Sequence, residues 1–316
     1  MANTDKQIRD VVMVGGGPSA LAAAVYTTRE DIDTVIYEKA VVGGMAAITD
    51  QVDNYPGFPE GIAGMQLATQ LEAQAKRFGT EISYGEVSEI RDNGATKTVV
   101  VDGTEVEARA VLIATGSDYN KIGVPGEAEF YGRGVHYCAT CDGAFYRDKR
   151  LAVVGGGNSA VQEALFLTRY ASHIDLLVRS RVKASEVLQH ELADWVDKGK
   201  ITLHLATTTD EIVATDGKVS GVKVTHDGEQ RIIDIDGVFV FVGLSPNTEF
   251  LAGSDIELDE QRLIKTDEHL QTSMPGVFAS GDVRSGATMQ IASAVGEGAS
   301  AALAIREYLE AQARQK

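Results

Sequence analysis

Residues 11–26 read VVMVGGGPSALAAAVY, and residues 151–166 read LAVVGGGNSAVQEALF. Each stretch is a short apolar run, then Gly-x-Gly-x-x-Ala, then an alanine-rich segment. That order predicts a strand, a tight turn and a helix, the opening of a dinucleotide-binding βαβ unit. Gly15 and Gly155 permit the turn, Gly17 and Gly157 let the backbone approach a pyrophosphate, and Ala20 and Ala160 keep helix and strand close. The helix N-terminus then offers free N–H groups and a positive dipole end to the phosphates. One such turn is a weak signal. Two copies, each between a predicted strand and a predicted helix, imply two nucleotides.

The residues beyond each turn separate the two nucleotides. After the first, the run Thr34-Val35-Ile36-Tyr37 ends in Glu38. An acid there accepts hydrogen bonds from unsubstituted ribose hydroxyls and repels a 2′-phosphate, which suits FAD or NAD. After the second, Asp175-Leu176-Leu177-Val178 ends in Arg179, followed by Ser180, Arg181 and Lys183. Cations and a hydroxyl at this corner fit a 2′-phosphate, hence NADPH. The competing reading is a solvated basic loop. It loses weight because the cluster lies where the ribose should be, in a chain that is otherwise strongly acidic.

The chain has only two cysteines, and they form the run Cys138-Ala139-Thr140-Cys141, followed by Asp142. Two thiols with two residues between them can close and open a small disulfide ring, and a neighbouring carboxylate can shuttle the proton. Zinc would need further ligands, and the six histidines are scattered. A redox dithiol is expected, and no metal. His136, two residues before Cys138, either lowers that thiol's pKa or is an ordinary surface-loop histidine.

At 316 residues the chain suits about two domains. A net charge of −17 argues against nucleic acid or an anionic membrane as partner, because both need a basic footprint. No apolar run approaches a membrane span, and MANTDKQIRD has no secretory h-region, so a cytoplasmic protein is expected. There a lone dithiol can cycle between oxidation states. Met65 to Phe78 reads as an amphipathic helix, and strand-like runs fall at 81–84, 97–101 and 108–113. Lys121 to Gly134, with Pro125 and four glycines, reads as a crossing between domains. Ser245-Pro246-Asn247 marks the return, Ser280-Gly281-Asp282 ends another strand, and a long alanine-rich helix closes the chain. The expected architecture is α/β, with two Rossmann-like domains. An FAD domain over residues 1–117 and 245–316 is interrupted by an NADPH domain over 118–244 that carries the dithiol.

Taken together, GGGPSA with Glu38, Asp53-Asn54-Tyr55-Pro56-Gly57, Ala114-Thr115-Gly116, CATCDGAFY, GGGNSA, Ser245-Pro246-Asn247 and Ser280-Gly281-Asp282 resemble the low-molecular-weight, bacterial- and archaeal-type thioredoxin reductases over nearly the whole chain. The resemblance implies a homodimer that passes electrons from NADPH through FAD to the Cys138–Cys141 disulfide and on to a thioredoxin-like small redox protein. It also implies a large rotation of one domain against the other. Cys141 resembles the thiol nearest the flavin, Cys138 the one that attacks the protein substrate, and Asp142 their proton donor and acceptor. Asn54 resembles a flavin-ring contact, and Asp282 the group that holds the ribityl chain. The expected FAD contacts are Gly15, Gly17, Pro18, Ser19, Glu38, Gly44, Asn54, Thr115, Gly116, Gly281, Asp282, Gln290 and Ile291. Those for NADPH are Gly155, Gly157, Asn158, Ser159, Arg179, Ser180, Arg181 and Lys183.

Three places depart from that pattern. The family usually has His-Arg-Arg and a further Arg near the second ribose, where this chain has Val178-Arg179-Ser180-Arg181-Val182-Lys183, one residue shorter. Met45 stands where a glutamine commonly follows the two glycines, and Met289 where an arginine often precedes Gln290. The alternative is the same dithiol chemistry fed by NADH or a ferredoxin-like protein. A flavin-binding module without turnover is a further alternative, which the intact CATCD disfavours.

Overall fold

The structure is a computed structural model, and it describes residues 8–49 and 51–314. Residues 1–7, most of the MANTDKQIRD segment that lacks a secretory h-region, lie outside the described residues. The chain forms two compact units, Met1–Asp118 with Ser245–Lys316, and Tyr119–Leu244. The second is thus an insertion in the first, and both are α/β.

In the outer unit, the apolar run Arg9–Val14 is a central strand. It pairs in parallel with Thr34–Glu38 on one side and Thr104–Ile113 on the other. Four of its residues are buried on both faces of the sheet, as the unbroken VVMV predicts. The Thr104–Ile113 strand serves three neighbours. Its first half takes Lys97–Val101 antiparallel, and its second half takes Val277–Ala279 in parallel opposite Arg9–Val14. The strand that closes this site region therefore comes from the far end of the chain.

Helix Pro18–Thr28 starts on a proline, whose missing N–H costs nothing in a first turn. Nine of its eleven residues are buried, four of them alanine. The C-terminal helix Ile291–Arg314 packs on it. A Cβ at Gly298 would lie 2.1 Å from the Ser19 carbonyl oxygen, so the two backbones meet with no side chain between them. The expected amphipathic helix spans Gly64–Arg77.

The inserted unit holds a five-stranded parallel sheet in the order Ile201–His204, His173–Leu177, Arg150–Val154, Gly237–Val240, Val135–His136. Helix Asn158–Leu167 follows its central strand. A separate antiparallel sheet, Thr207–Thr215, Lys218–His226 and Glu229–Asp234, contributes Val219, Val222 and Val224 to the second core of this unit. The Lys121–Gly134 stretch, expected as a crossing, folds into the inserted unit instead. Phe130 is buried in that same core. Glu127 is buried too, accepting the Ile122 and Gly123 N–H groups and the Tyr137 hydroxyl. Glycine and proline there shape a packed loop rather than a linker.

Candidate functional site

The first glycine turn sits at the carboxyl end of Arg9–Val14, where open α/β sheets bind ligands. Gly15 has φ +94°, and a Cβ on it would lie 2.5 Å from the Ala114 carbonyl oxygen. Only glycine fits. Glu38 ends the next strand at 8% exposure, its carboxylate accepting the Gly16 N–H at 2.6 Å and the Ala40 N–H at 2.7 Å. These donors fix its direction and leave further lone pairs toward a ligand.

A cavity of about 290 Å³ opens beside this turn. Around it stand Gly15, Gly17, Pro18, Ser19, Glu38, Gly44, Thr115, Gly116, Gly281, Asp282, Gln290 and Ile291, with Met45 and Ile48 adding apolar wall. Asn54 does not line the cavity, but its side-chain amide donates to Gln290 Oε1 at 3.0 Å. A smaller cavity of about 140 Å³ shares Gly15, Glu38, Lys39, Thr115 and Asn247 with the first and is walled by Tyr37, Val87 and Phe250.

Asp282 reaches this cavity from the turn after Val277–Ala279. Its backbone carbonyl accepts the Ser117 hydroxyl, while Glu297 holds the turn through the Gly281 N–H at 2.8 Å and through Arg284. The Ser19 and Ser280 hydroxyls meet at 2.6 Å and tie the turn to the first helix. No described residue donates a hydrogen bond to the Asp282 carboxylate. Burial, and then the negative charge of Glu297, raise its pKa to about 6. A half-buried acceptor without a donor among the described residues, on the same cavity as a helix N-terminus in a glycine cradle, fits a ligand that brings hydroxyls and phosphates.

The second turn repeats the geometry. Gly155 has φ +142°, and a Cβ there would lie 2.3 Å from the Phe241 carbonyl oxygen and 2.7 Å from Ala160 Cβ. Gly157, Asn158 and Ser159 are exposed at the helix start. The Asn158 side chain accepts the Ser185 N–H at 2.8 Å, and the Lys183 N–H donates to Gly156 at 2.6 Å. The turn thereby anchors the basic loop beyond His173–Leu177. Arg179, Ser180, Arg181 and Lys183 are exposed, and none of the three cations pairs with a described carboxylate. They are free to meet an anion.

Cys138 and Cys141 are joined as a disulfide, with Cα atoms 5.3 Å apart. Cys138 caps the one-turn helix Ala139–Asp142, on which Cys141 lies, and its Sγ accepts the Cys141 N–H at 3.2 Å. Asp142 follows directly, and its N–H donates to the Cys138 carbonyl at 3.1 Å. Glu163, from helix Asn158–Leu167, accepts the Ala139 N–H, and burial raises its pKa.

His136 is not the surface-loop residue of one expectation. It is 6% exposed and sits on the edge strand Val135–His136, not in a surface loop. Its Nδ1 lies 3.2 Å from Asp142 Oδ2, and its Nε2 lies 2.7 Å from the Tyr146 hydroxyl. Its polar partners are therefore the carboxylate and a phenol.

Two groups at the site escape sequence reasoning. Asn247 is locked to the first unit's strand end: its N–H donates to Gly116 and its amide to the Thr115 carbonyl, while its own carbonyl accepts the Thr115 hydroxyl at 2.7 Å. Its signal is the Ser245-Pro246-Asn247 run, which marks a crossing and joins the family resemblance without giving Asn247 a role. Tyr146 carries no signal, being one aromatic in the run Phe145-Tyr146.

Comparison with known proteins agrees with this geometry. The pyridine nucleotide-disulphide oxidoreductase family profile matches residues 9–298. A protein of Listeria monocytogenes named thioredoxin reductase is 42% identical over 310 residues, spanning 97% of this chain and 96% of its own. The Bacillus subtilis protein of that name is 41% identical over the same shares. Among solved structures, the thioredoxin reductase from Streptococcus pyogenes superposes with a TM-score of 0.92 at 38% identity, covering 97% of this chain and 100% of that one. With two glycine cradles, a closed CxxC disulfide and identity along nearly its whole length, the chain belongs to the pyridine nucleotide-disulphide oxidoreductase family, among its thioredoxin reductases.

Proposed function

We propose that the chain is an FAD-containing, NADPH-dependent thioredoxin-disulfide reductase, acting in the cytoplasm as a homodimer on a thioredoxin-like protein. The observation that carries this reading is the Cys138–Cys141 disulfide with Asp142 beside it, in the same unit as a dinucleotide-type turn with three unpaired cations. Bound flavin supplies the conversion of a nicotinamide hydride into two electrons that a disulfide accepts. Glu38 and Asp282, at two places on the larger cavity, would hold its ribose and its ribityl hydroxyls, with the Gly15–Ser19 turn at the phosphates between. Arg179, Arg181 and Lys183 would take the 2′-phosphate of NADPH.

The dithiol steps are set by the residues in place. Two electrons cleave the Cys138–Cys141 bond, and Asp142 gives a proton to one of the two sulfurs. The Cys138 thiolate attacks one sulfur of the partner's disulfide and displaces the other, forming a mixed disulfide. Cys141 returns its proton to Asp142, and its thiolate attacks Cys138 Sγ, which restores the ring and releases the partner with its two sulfurs as thiolates that take protons from water.

A visible absorption spectrum tests the reading. The purified protein should be yellow, bleach on addition of NADPH, and recover colour when oxidised thioredoxin is added. A folded, colourless protein that takes up no FAD on reconstitution refutes the flavin assignment. Bleaching by dithionite but by neither NADPH nor NADH moves the electron source to a ferredoxin-like protein.

A further inference from the structure

We propose that His136 is a positioning residue for Asp142, and that the two share the proton moved in the thiol–disulfide step. This deepens the proton-donor reading of Asp142 and rests on it.

The imidazole has almost no freedom. Its strand pairs with Gly237–Val240, with His136 directly opposite Phe239. The two rings stack at 5.1 Å, and Tyr146 meets His136 edge-on at 5.2 Å. With Nε2 tied to the Tyr146 hydroxyl, Nδ1 is left at 3.2 Å from Asp142 Oδ2. Asp142, on a one-turn helix that includes the redox disulfide, is thus braced against a fixed ring.

The partners set the donor and acceptor roles. An ionised carboxylate only accepts, so Nδ1 carries a proton when Asp142 is charged. Nε2 then has a free lone pair, and the phenol donates to it. Tyr146 is suited to that role because burial, then the charges of Asp142 and Asp236, push its pKa up to about 12. When a further proton arrives, Nε2 takes it and donates to the phenol oxygen, whose hydrogen turns away. Each protonation state of the trio is paired.

The other ionisable groups near the trio are few. Asp236 precedes the Phe239 strand and is held by the Arg150 N–H at 2.9 Å and by Lys149 at 3.5 Å. Glu163 faces Ala139 from the helix behind. Asp142 and Tyr146 complete the set.

In the forward step, two electrons break the S–S bond while the doubly protonated ring passes its Nδ1 proton to Asp142, which delivers it to one sulfur, leaving a neutral ring and a carboxylate. In the return step, the Cys141 proton goes back to Asp142 and is shared with the ring. Imidazole is the side chain whose ordinary titration lies near neutrality. A ring nitrogen held 3.2 Å from the carboxylate gives the pair a second site for the transferable proton, which a lone carboxylate lacks.

The test uses the flavin-loaded full-length protein with oxidised thioredoxin, comparing wild type, His136→Gln, Tyr146→Phe and Asp142→Asn across pH 5.5–9. For His136→Gln we expect turnover to fall on the order of tenfold at the alkaline end, less than the roughly 10²–10⁴-fold of a full general acid–base contribution because Asp142 remains. The alkaline limb of the profile should move to lower pH. The KM for thioredoxin and the rate of flavin reduction by NADPH should stay at wild-type values, which a merely structural lesion would not allow. If the glutamine variant does not fold, Tyr146→Phe keeps the ring packing and should move the same limb. A profile that overlays wild type in the folded variants overturns the inference while Asp142→Asn still loses turnover. Wild-type turnover in Asp142→Asn overturns the proton-donor reading, and this inference with it.

Discussion

Replacing Asp282 by asparagine should have opposite effects on the flavin-free and flavin-loaded protein. The carboxylate is half-buried, receives no hydrogen bond from a described residue, and has its pKa raised from 3.8 to about 6. A group that holds its proton more tightly when folded makes the folded state bind more protons between those two values. Stability of the flavin-free protein therefore falls as pH rises through about 4 to 6 and stays low above. At ~1.4 kcal/mol per pKa unit, the penalty at pH 7.5 is at most about 3 kcal/mol, and at pH 5 about half of that. Asparagine keeps the shape and removes the charge. Flavin-free Asp282→Asn should thus melt several degrees higher than wild type at pH 7.5, at roughly 2–4 °C per kcal/mol, and the gap should narrow at pH 5. With FAD present the order reverses, because a charged acceptor for ribityl hydroxyls is lost. One such bond is worth about 1.5–3 kcal/mol, so the Kd should rise at least about tenfold. Thermal melts at the two pH values and FAD titration by flavin fluorescence read both effects. A flavin-free variant no more stable than wild type at pH 7.5, or one that binds FAD as tightly, refutes the reasoning.

Cys138→Ser should abolish transfer to thioredoxin while leaving flavin reduction by NADPH intact, and Cys141→Ser should block the passage of electrons from flavin to thiol. Full disulfide-reductase turnover in either variant would show that the roles are assigned wrongly. NADPH should bind more than about tenfold tighter than NADH, since that ratio needs only ~1.4 kcal/mol, and Arg179→Ala should erase much of the preference while barely changing the NADH rate. Equal stopped-flow reduction by the two nucleotides in wild type would mean that the loop holds no phosphate. Gly298→Ala places a methyl group 2.1 Å from the Ser19 carbonyl oxygen and must push two helices apart. Overpacking costs about 1–3 kcal/mol, so a lower melting temperature and looser FAD are expected, and an unchanged melting temperature would contradict the close contact.

The parts of the fold visible in the sequence are those built from local rules. Both Gly-x-Gly-x-x-Ala turns announce their strands and helices, because the turn needs glycine and the flanking patterns differ in period. Glu38 and Arg179 can be placed because each ends an apolar run at a set distance from its turn. The Lys121–Gly134 stretch misleads because glycine and proline mark bends without saying whether the bend is packed, and burial of Glu127 and Phe130 depends on residues elsewhere in the inserted unit. The three-stranded sheet of the inserted unit blurs into its neighbours for lack of strong alternation, as in Glu229–Asp234, which has a single buried residue. The partners of His136 are hidden for a different reason. They lie six and ten residues onward, and a helical turn and a 3₁₀ turn fold back to bring them to one ring. Asn247 is hidden by distance, since it bonds to Thr115 across the whole insertion.

That interruption has a consequence for how the chain comes to hold its ligand. The Ser19 and Ser280 hydroxyls that close the larger cavity are 261 positions apart. The strand bearing Asp282 and the helix bearing Gly298 belong to the segment made after the inserted unit. The inserted unit is continuous and can fold as soon as Leu244 has emerged, as domains generally do during synthesis. The outer unit must wait, its first half holding open a sheet position beside Thr104–Ile113 until Val277–Ala279 arrives. During that interval its apolar strands are exposed to misassociation, and pairing across so long a loop is slow. Under the proposed function, flavin capture therefore depends on the segment that follows the insertion. A nascent or truncated product lacking the final segment has no Asp282 and no closed cradle, so it should be colourless even where its dithiol unit is fully folded.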